Sequence, residues 1–546
     1  MRTQPQDRLT DDPRVLLGNE AVALAAAHAG ISAAYAYPGT PSTEILQFLL
    51  DRRAGDGNIR AAWATNEKSA YEAALGVSMV GGRVLVAMKH VGLNVAADPF
   101  INSALVAIHG GLVLAVADDP GMHSSQNEQD TRFYTDFAHV PCFEPADQQE
   151  AYDMTREAFA VSERFGVPVV VRLVTRLAHS RSAIRVDEPL EPRRLGKPPE
   201  PNSWNLLPAF ARLRWAKLLA RVPDMEAYTE STPFNVPGIP GDGSGFGVIT
   251  AGVARNYFLE TVGSRTGRPA HLHVGVYPIP RAAIRRFAEN LDTILVLEDG
   301  YPFIEECLKG VLSQRVEIRG RLAGQIPPSG ELTPEIVGAA LGAAGTGTTP
   351  EDVPVRPPRL CDGCPHRDAF TALNRVTGDH RTSLVASDIG CYTLGALPPF
   401  SAIESCVCMG ASIGMAKGAA DAGFGSVFAV IGDSTFLHSG IPPLLDAVEA
   451  DSDMTVLVLD NRVVAMTGAQ PTATPPTDLE GLILGLGVDP GHFHVVDSHP
   501  KHVDRLAGLI EQEAAHHGLS VLVIRRECLE SIRRKKSRAV KEGAES

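Results

Sequence analysis

Two segments decide the fold: "SVFAVIGDS" at residues 426–434 and "MTVLVLDN" at residues 454–461. Each is a short, unbroken apolar run closed by a turn-forming Gly-Asp or Asp-Asn pair. Runs of this length and continuity read as strands buried on both faces of a parallel sheet. In open α/β sheets the C-terminal ends of such strands carry the loops that converge on a ligand. The carboxylate of Asp433 and the amide of Asn461 are therefore expected at one sheet edge. Oxygen donors of this kind suit a hard divalent cation such as Mg²⁺, which commonly bridges to a phosphate. Turn chemistry alone accounts for the same residues equally well.

The pattern recurs along the chain. "GRVLVAMKH", "GLVLAVADD" and "VPVVVRLVT" are strand-like in the first third, "GFGVITAG" and "DTILVLEDG" in the middle, and "LSVLVIRR" near the end. Proline-rich stretches at residues 187–203 and 345–359 interrupt it and read as connections. The reading is three α/β domains. Residues 14–186 form the first, residues 187–244 a linker, residues 245–344 the second, residues 345–359 a linker and residues 360–530 the third. A basic tail at residues 531–546 follows, read either as a docking patch or as a solvated appendage.

Composition narrows the function classes. A chain of 546 residues with 44% hydrophobic and 21% charged content is that of a globular protein of about three domains. A net charge of −14 argues against a general nucleic-acid binder. No apolar run reaches membrane-spanning length and the first residues are polar without a signal-peptide core, so the expected location is the cytoplasm, with no membrane partner. Eight cysteines in so long a chain are not a secreted disulfide framework. "CDGC" at residues 361–364 and Cys391 in "DIGC" fit zinc or an iron–sulfur cluster, and a lone buried cysteine fits a structural role as well.

The Gly432-Asp433-Ser434 turn with Asn461 beyond it resembles the thiamine-diphosphate fingerprint, with Ser434 in place of the commoner third glycine. "CVCMGASIGMAKGAA" precedes it and offers small residues, Gly410 among them, for close approach to a diphosphate. "TNEKSAYEAALG" at residues 65–76 supplies a glutamate, Glu67, just after a helix-capping Asn66. Acidic residues are favoured at any helix start, so pattern alone does not single it out.

Taken in order, "AYPGTPSTEI", "TNEKSAYEAALG", "MKHVGLNVAADP", "DDPGMHSSQNEQDTRFY", "CDGCPHR", "DIGCYTLG", "GDSTFLHSGIPPLLDAV" and "AMTGAQP" resemble the large subunit of indolepyruvate:ferredoxin oxidoreductase. That subunit belongs to the 2-oxoacid:ferredoxin oxidoreductase superfamily. The resemblance spans roughly residues 15–529 and implies an α/β, thiamine-diphosphate-binding fold. It comprises two parallel-sheet cofactor domains and a transketolase C-terminal-like domain. It implies that Glu67 activates the cofactor, that Asp433, Asn461 and the Val463 carbonyl hold Mg²⁺, and that Thr40, Lys89 and His90 face the reacting 2-oxoacid. His123 and Gln126 are further candidates for that pocket. Gly390, Met409, Gly410, Gly432, Ser434 and Met466 would line the cofactor, Met409 or Met466 propping its bent form.

The resemblance also implies a [4Fe–4S] cluster on Cys361, Cys364, Cys391 and Cys528, with Cys406 and Cys408 as alternative fourth ligands. The activity implied is oxidative decarboxylation of arylpyruvates to acyl-CoA and CO₂, with coenzyme A as cosubstrate. Electrons would pass to a separate ferredoxin-like carrier, because the sequence stops where the family's ferredoxin-like domain begins. A smaller second subunit and a dimer of heterodimers are implied, with the cofactor between the pyrimidine and diphosphate domains. Two departures stand out: the missing cysteine-rich domain, and Ala469 where the family often has His. Two other readings stay open, a non-oxidative thiamine-diphosphate-dependent decarboxylase and a non-catalytic subunit with a zinc site.

Overall fold

The computed structural model describes residues 13–52, 59–198, 200, 202–263, 267–312, 315–342, 358–378, 382–472 and 479–544, with side chains to residue 536. The second proline-rich connection lies almost wholly outside them. The chain divides into two compact units, residues 1–349 and 350–546.

The first unit holds β1 (Arg14–Leu17), β2 (Ala33–Ala36), β3 (Arg60–Trp63), β4 (Val84–Lys89), β5 (Leu112–Asp118), β6 (Cys142–Phe143), β7 (Val169–Val174) and β8 (Arg181–Ile184). It continues through β9 (Val236–Ile239), β10 (Phe246–Ala251), β11 (Ala270–Val274), β12 (Val276–Tyr277), β13 (Thr293–Leu297) and β14 (Glu317–Arg319). Its larger sheet has the order β12-β6-β7-β5-β4-β2-β3 and is parallel except where β12 meets β6. Every residue of β5 and β7 is buried, as the continuous apolar runs required. The helix that returns from β6 to β7, Gln148–Phe165, is punctuated by its own sequence. Asp147 accepts from the Glu150 amide at its start, and Gly166 ends it at φ 62°, the left-handed conformation glycine adopts without penalty.

The second sheet, β14-β13-β10-β11-β9, is parallel except for β9. Two features join it to the first. Strand β12 leaves the second half of the unit to pair with β6 in the first sheet. A buried ionic network also crosses between them. Arg132 binds Glu298 at 2.7 Å and Asp130 at 2.5 Å, and Arg172 binds Asp118 at 2.6 Å as well as Glu144, whose other oxygen accepts the Tyr277 hydroxyl. Both guanidiniums also donate to the Asp299 carbonyl at 3.0 Å. Charges this deep hold only while every partner stays, so one deletion leaves an uncompensated buried ion.

Residues 187–244 are not the plain linker expected from their prolines. They contain the helix Pro208–Ser231 and strand β9. Proline at the first helical position is favourable, and the helix also carries Pro223 in its interior, which hid it from a composition reading.

The second unit is a five-stranded, wholly parallel sheet of β15 (Leu384–Ser387), β16 (Val427–Gly432), β17 (Met454–Asp460), β20 (Phe493–Asp497) and β21 (Leu519–Arg525), in the order β15-β16-β17-β21-β20. Between them a small hairpin pairs β18 (Val463–Val464) with β19 (Gln470–Pro471). The two opening segments are thus adjacent strands, β16 and β17. The expected basic tail begins instead as a helix, Leu529–Ala544. Among the described residues no helix is long and apolar enough to cross a membrane.

Candidate active site and cysteine cluster

In the first unit, four segments at the C-terminal ends of the large sheet gather the expected pocket residues. Glu67 opens the helix Glu67–Met79, whose Asn66 cap accepts from the Ser69 amide at 2.8 Å. Its side chain is 4% exposed. Gly92, in the helix His90–Val95, is what lets it lie there. A Cβ on Gly92 would sit 2.5 Å from Glu67 Oε1 and 2.7 Å from its Cγ. The glutamate is therefore clamped against bare backbone.

Lys89 closes β4 and lays its stem against Gly39 of the "PGTPST" loop, where a Cβ would meet it at 3.3 Å. Its ammonium donates to the Ser124 carbonyl at 3.0 Å. Burial lowers its pKa, opposed by the carboxylates of Asp119 and Glu67. His90 is 1% exposed and its Nε2 lies 3.2 Å from the Asn127 carbonyl. A carbonyl only accepts, so Nε2 carries the hydrogen. Burial lowers the pKa of this ring, which stays neutral, and its buried Nδ1 lone pair has no partner among the described residues. Thr40 is half-buried and offers its carbonyl to the Ser124 hydroxyl at 3.1 Å. His123 and Gln126 are exposed, and His123 faces Glu331 at 3.4 Å.

In the second unit Asp433 follows β16 directly and is 4% exposed. Its two oxygens accept from the amides of Ser434 at 2.8 Å and Arg462 at 2.7 Å. Burial, reinforced by the neighbouring Asp460 carboxylate, pushes its pKa up to about 8. Asn461 is 7% exposed, and its Oδ1 accepts from the Val463 amide at 3.0 Å. A buried carboxylate facing another carboxylate, with an amide oxygen beside it, is short of positive charge. The donor set fits a hard divalent cation.

Glycine identity around this turn has a physical reason. Cβ atoms on Gly390 and Gly432 would lie 2.3 Å and 2.6 Å from the ring of Tyr392. That ring meets His366 edge-on at 5.9 Å, and His366 Nε2 lies 3.5 Å from the Asn461 amide nitrogen. Gly410 has φ 90° and approaches Ser439, where a Cβ would fall 2.5 Å from the serine's own. The helix Ala411–Asp421 behind it does not present open amides to a phosphate. Asp388 takes the Gly410, Ala411 and Ser412 amides at 2.6 Å, 3.1 Å and 3.1 Å, so a carboxylate already fills the anion position of that terminus. Of the glycines there, Gly410 is the one whose bareness a close neighbour, Ser439, requires. Met409 is half-buried, whereas Met466 is 57% exposed. Ala469 adopts φ 63°, a strained conformation for a residue with a Cβ.

Four thiols gather beside this turn. Cys364 interacts electrostatically with Cys361 and Cys528, and Cys391 with all three; burial and the facing thiols push Cys364 up to about 11 and Cys391 up to about 12. Cys406 and Cys408 face Asp388 instead. The Cys528 amide donates to the Asn461 carbonyl at 3.3 Å, which ties the cysteine to the turn that follows β17. Among the described residues no three of His, Cys, Asp and Glu are arranged to hold a metal ion. Thiols that raise one another's pKa ionise readily only beside added positive charge, which a bound metal or cluster would supply.

With this geometry in place, comparison with known proteins decides the family. Residues 24–218 match the model described as pyruvate flavodoxin/ferredoxin oxidoreductase, thiamine diP-bdg, and residues 388–524 match thiamine pyrophosphate enzyme, C-terminal TPP binding domain. Indolepyruvate oxidoreductase subunit IorA of Archaeoglobus fulgidus is 36% identical, over 94% of this chain and 86% of that protein. The chain belongs to the IorA family. The IorA of Pyrococcus abyssi is likewise 36% identical, over 94% of this chain and 85% of its own length. Among solved structures, the 2-oxoglutarate:ferredoxin oxidoreductase from Magnetococcus marinus, with 2-oxoglutarate, coenzyme A and succinyl-CoA bound, aligns with TM-score 0.51 and 18% identity. That alignment covers 61% of this chain and 65% of that one, and it supports the shared α/β fold. Sequence reading of the IorA-like motifs singled out Glu67, Lys89, His90 and the Asp433 turn. It missed Asp119, Asp388, His366 and Tyr392, although the last three lie inside quoted motifs and Asp119 opens one with Asp118.

Proposed function

We propose that this chain is the thiamine-diphosphate subunit of an oxidoreductase that decarboxylates arylpyruvates of the indolepyruvate type to acyl-CoA. Membership of the IorA family over nearly the whole chain carries this reading. Thiamine diphosphate, when bound, supplies the carbon nucleophile that attacks the ketone and retains the electron pair as CO₂ leaves. Glu67, held by Gly92, would bind the N1′ edge of the aminopyrimidine. Asp433, Asn461 and the Val463 carbonyl would hold Mg²⁺ against the diphosphate.

Lys89 places a cation in a largely desolvated pocket, where attraction to the 2-oxoacid carboxylate is strong. The neutral His90, with its Nδ1 lone pair unpartnered among the described residues, is an acceptor for a ligand hydrogen at that atom. Thr40 rims the same pocket. Cys361, Cys364, Cys391 and Cys528 would hold a [4Fe–4S] cluster and pass electrons one at a time to a ferredoxin-like carrier, with coenzyme A taking the acyl group. A smaller second subunit would complete the enzyme.

The test is anaerobic co-purification with that subunit, iron and sulfide analysis, and an arylpyruvate-dependent viologen-reduction assay with coenzyme A. Iron-containing protein that reduces the dye supports the proposal. Aldehyde release without dye reduction, from iron-free protein, would replace it with a non-oxidative decarboxylase.

A further inference from the structure

Asp119 follows β5 directly and is fully buried, yet it belongs to no part of the chemistry described above. Its Oδ2 accepts from the Ser124 amide at 2.8 Å and the Ser125 hydroxyl at 2.7 Å, and its Oδ1 from the Thr175 hydroxyl at 2.6 Å. The Ser124 hydroxyl stands 3.3 Å from the same Oδ2 and 3.1 Å from the Thr40 carbonyl, sharing its one hydrogen between them. The Ser124 carbonyl in turn receives Lys89. The carboxylate thus ties the segment after β5 to the one after β7 and, through Ser124, reaches the loop after β2 and Lys89 at the end of β4. Without it the Ser124–Ser125 turn would have little to fix it, because loops at a sheet edge carry no ladder of their own.

We propose that Asp119 is the positioning residue of the substrate pocket, fixing the turn on which Lys89 and the Thr40 loop rest and facing Lys89 with a compensating negative charge. This rests on the reading that Lys89 meets the 2-oxoacid. An ammonium has three donors, and one is spent on Ser124 among the described residues, so the turn sets where the others point. The titratable groups facing Lys89 are the carboxylates of Asp119 and Glu67 and, at the next position, the neutral His90 ring. Asp119 is the one of these without a proposed role on cofactor or substrate.

Asp119→Asn presents one acceptor oxygen where the carboxylate presents two, so an amide N–H₂ confronts one set of donors and the charge is lost. Two readouts separate positioning from simple packing. First, acetylation of Lys89 by acetic anhydride across a pH series, mapped by mass spectrometry, should reach half-extent at lower pH in D119N than in the parent. Second, KM for the arylpyruvate should rise on the order of tenfold, the loss expected when a charged hydrogen-bonding group is displaced. Thiamine-diphosphate affinity by calorimetry should stay within about threefold, since Asp119 touches none of the proposed cofactor ligands. Thr175→Val keeps the charge but releases Oδ1. It should leave the Lys89 profile in place while raising KM less, and it keeps the test alive if D119N does not fold.

An unchanged Lys89 profile and unchanged KM in D119N would overturn the inference, as would an unchanged KM in a Ser125→Ala, Thr175→Val double variant. If the Lys89 profile moves but neither D119N nor Lys89→Met alters KM, the hold of Asp119 on Lys89 stands and the pocket reading falls.

Discussion

Gly92→Ala is a one-methyl test of how Glu67 is held. The added Cβ would lie 2.5 Å from Glu67 Oε1, and ordinary contact begins at 3.4 Å, so the pair must open by about 0.9 Å. Two energies compete. Alanine is the better helix residue by roughly 0.5–1 kcal/mol, and Gly92 lies within the helix His90–Val95. Forcing a methyl into a filled space costs about 1–3 kcal/mol. The net effect on stability is therefore a modest loss of about 0–2.5 kcal/mol. Function should suffer more, because displacing a reacting group by about 1 Å costs on the order of a hundredfold in rate. Thermal denaturation together with viologen reduction at saturating arylpyruvate and cofactor separates the two effects. A G92A protein with near-parental melting and turnover down about 30- to 100-fold is expected. Turnover within about threefold of the parent, with the fold intact, would refute the claim that the glycine clamps the glutamate.

Three further outcomes follow from the same structure. Burial pushes Asp299 up to about 6, and among the described residues its Oδ2 has no partner while Oδ1 accepts from the Leu332 amide at 2.7 Å. A folded-state pKa above the unfolded one stabilises below about pH 4, and that contribution is lost as pH rises through about 6; the span is about 3 kcal/mol. Urea titrations should show this slope in the parent and not in Asp299→Asn, and a slope retained in the variant would exclude Asp299 as its source. Cys528→Ser should lower the iron content of anaerobically reconstituted protein while Cys406→Ser leaves it unchanged; the reverse result would move the fourth ligand to Cys406. Asp433→Asn should weaken Mg²⁺-dependent thiamine-diphosphate binding at least tenfold by calorimetry, because it removes the charged member of the oxygen set. Undiminished affinity would take Asp433 out of that set.

Much of the fold was legible because fully buried parallel strands leave unbroken apolar runs. β5, β7, β16 and β17 were each readable in this way. The helix Pro208–Ser231 was not, since its entry is proline-rich and Pro223 interrupts it. The joining of the first two domains was equally invisible. It depends on the two-residue strand β12 and on Arg132 and Arg172 meeting carboxylates that lie as much as 166 positions away in sequence. At the site, the resemblance pointed to Glu67 and Asp433, which pattern alone did not single out. It could not reveal that Gly92 makes room for one and that the Tyr392 ring excludes side chains beside the other. Nor could it show that Asp388 caps the helix whose small residues suggested an open phosphate site. Those are contacts between side chains distant in sequence, and no local pattern records them.

The central claim is that this chain binds thiamine diphosphate and activates it through Glu67. Exchange of the thiamine C2 hydrogen into deuterated water, followed by NMR with Mg²⁺ present, measures that step without substrate, partner or electron acceptor. The account predicts acceleration by the parent chain, and in Glu67→Gln retained cofactor affinity with exchange slowed at least about a hundredfold. Exchange in Glu67→Gln as fast as in the parent, or a parent chain that binds no thiamine diphosphate, would contradict it.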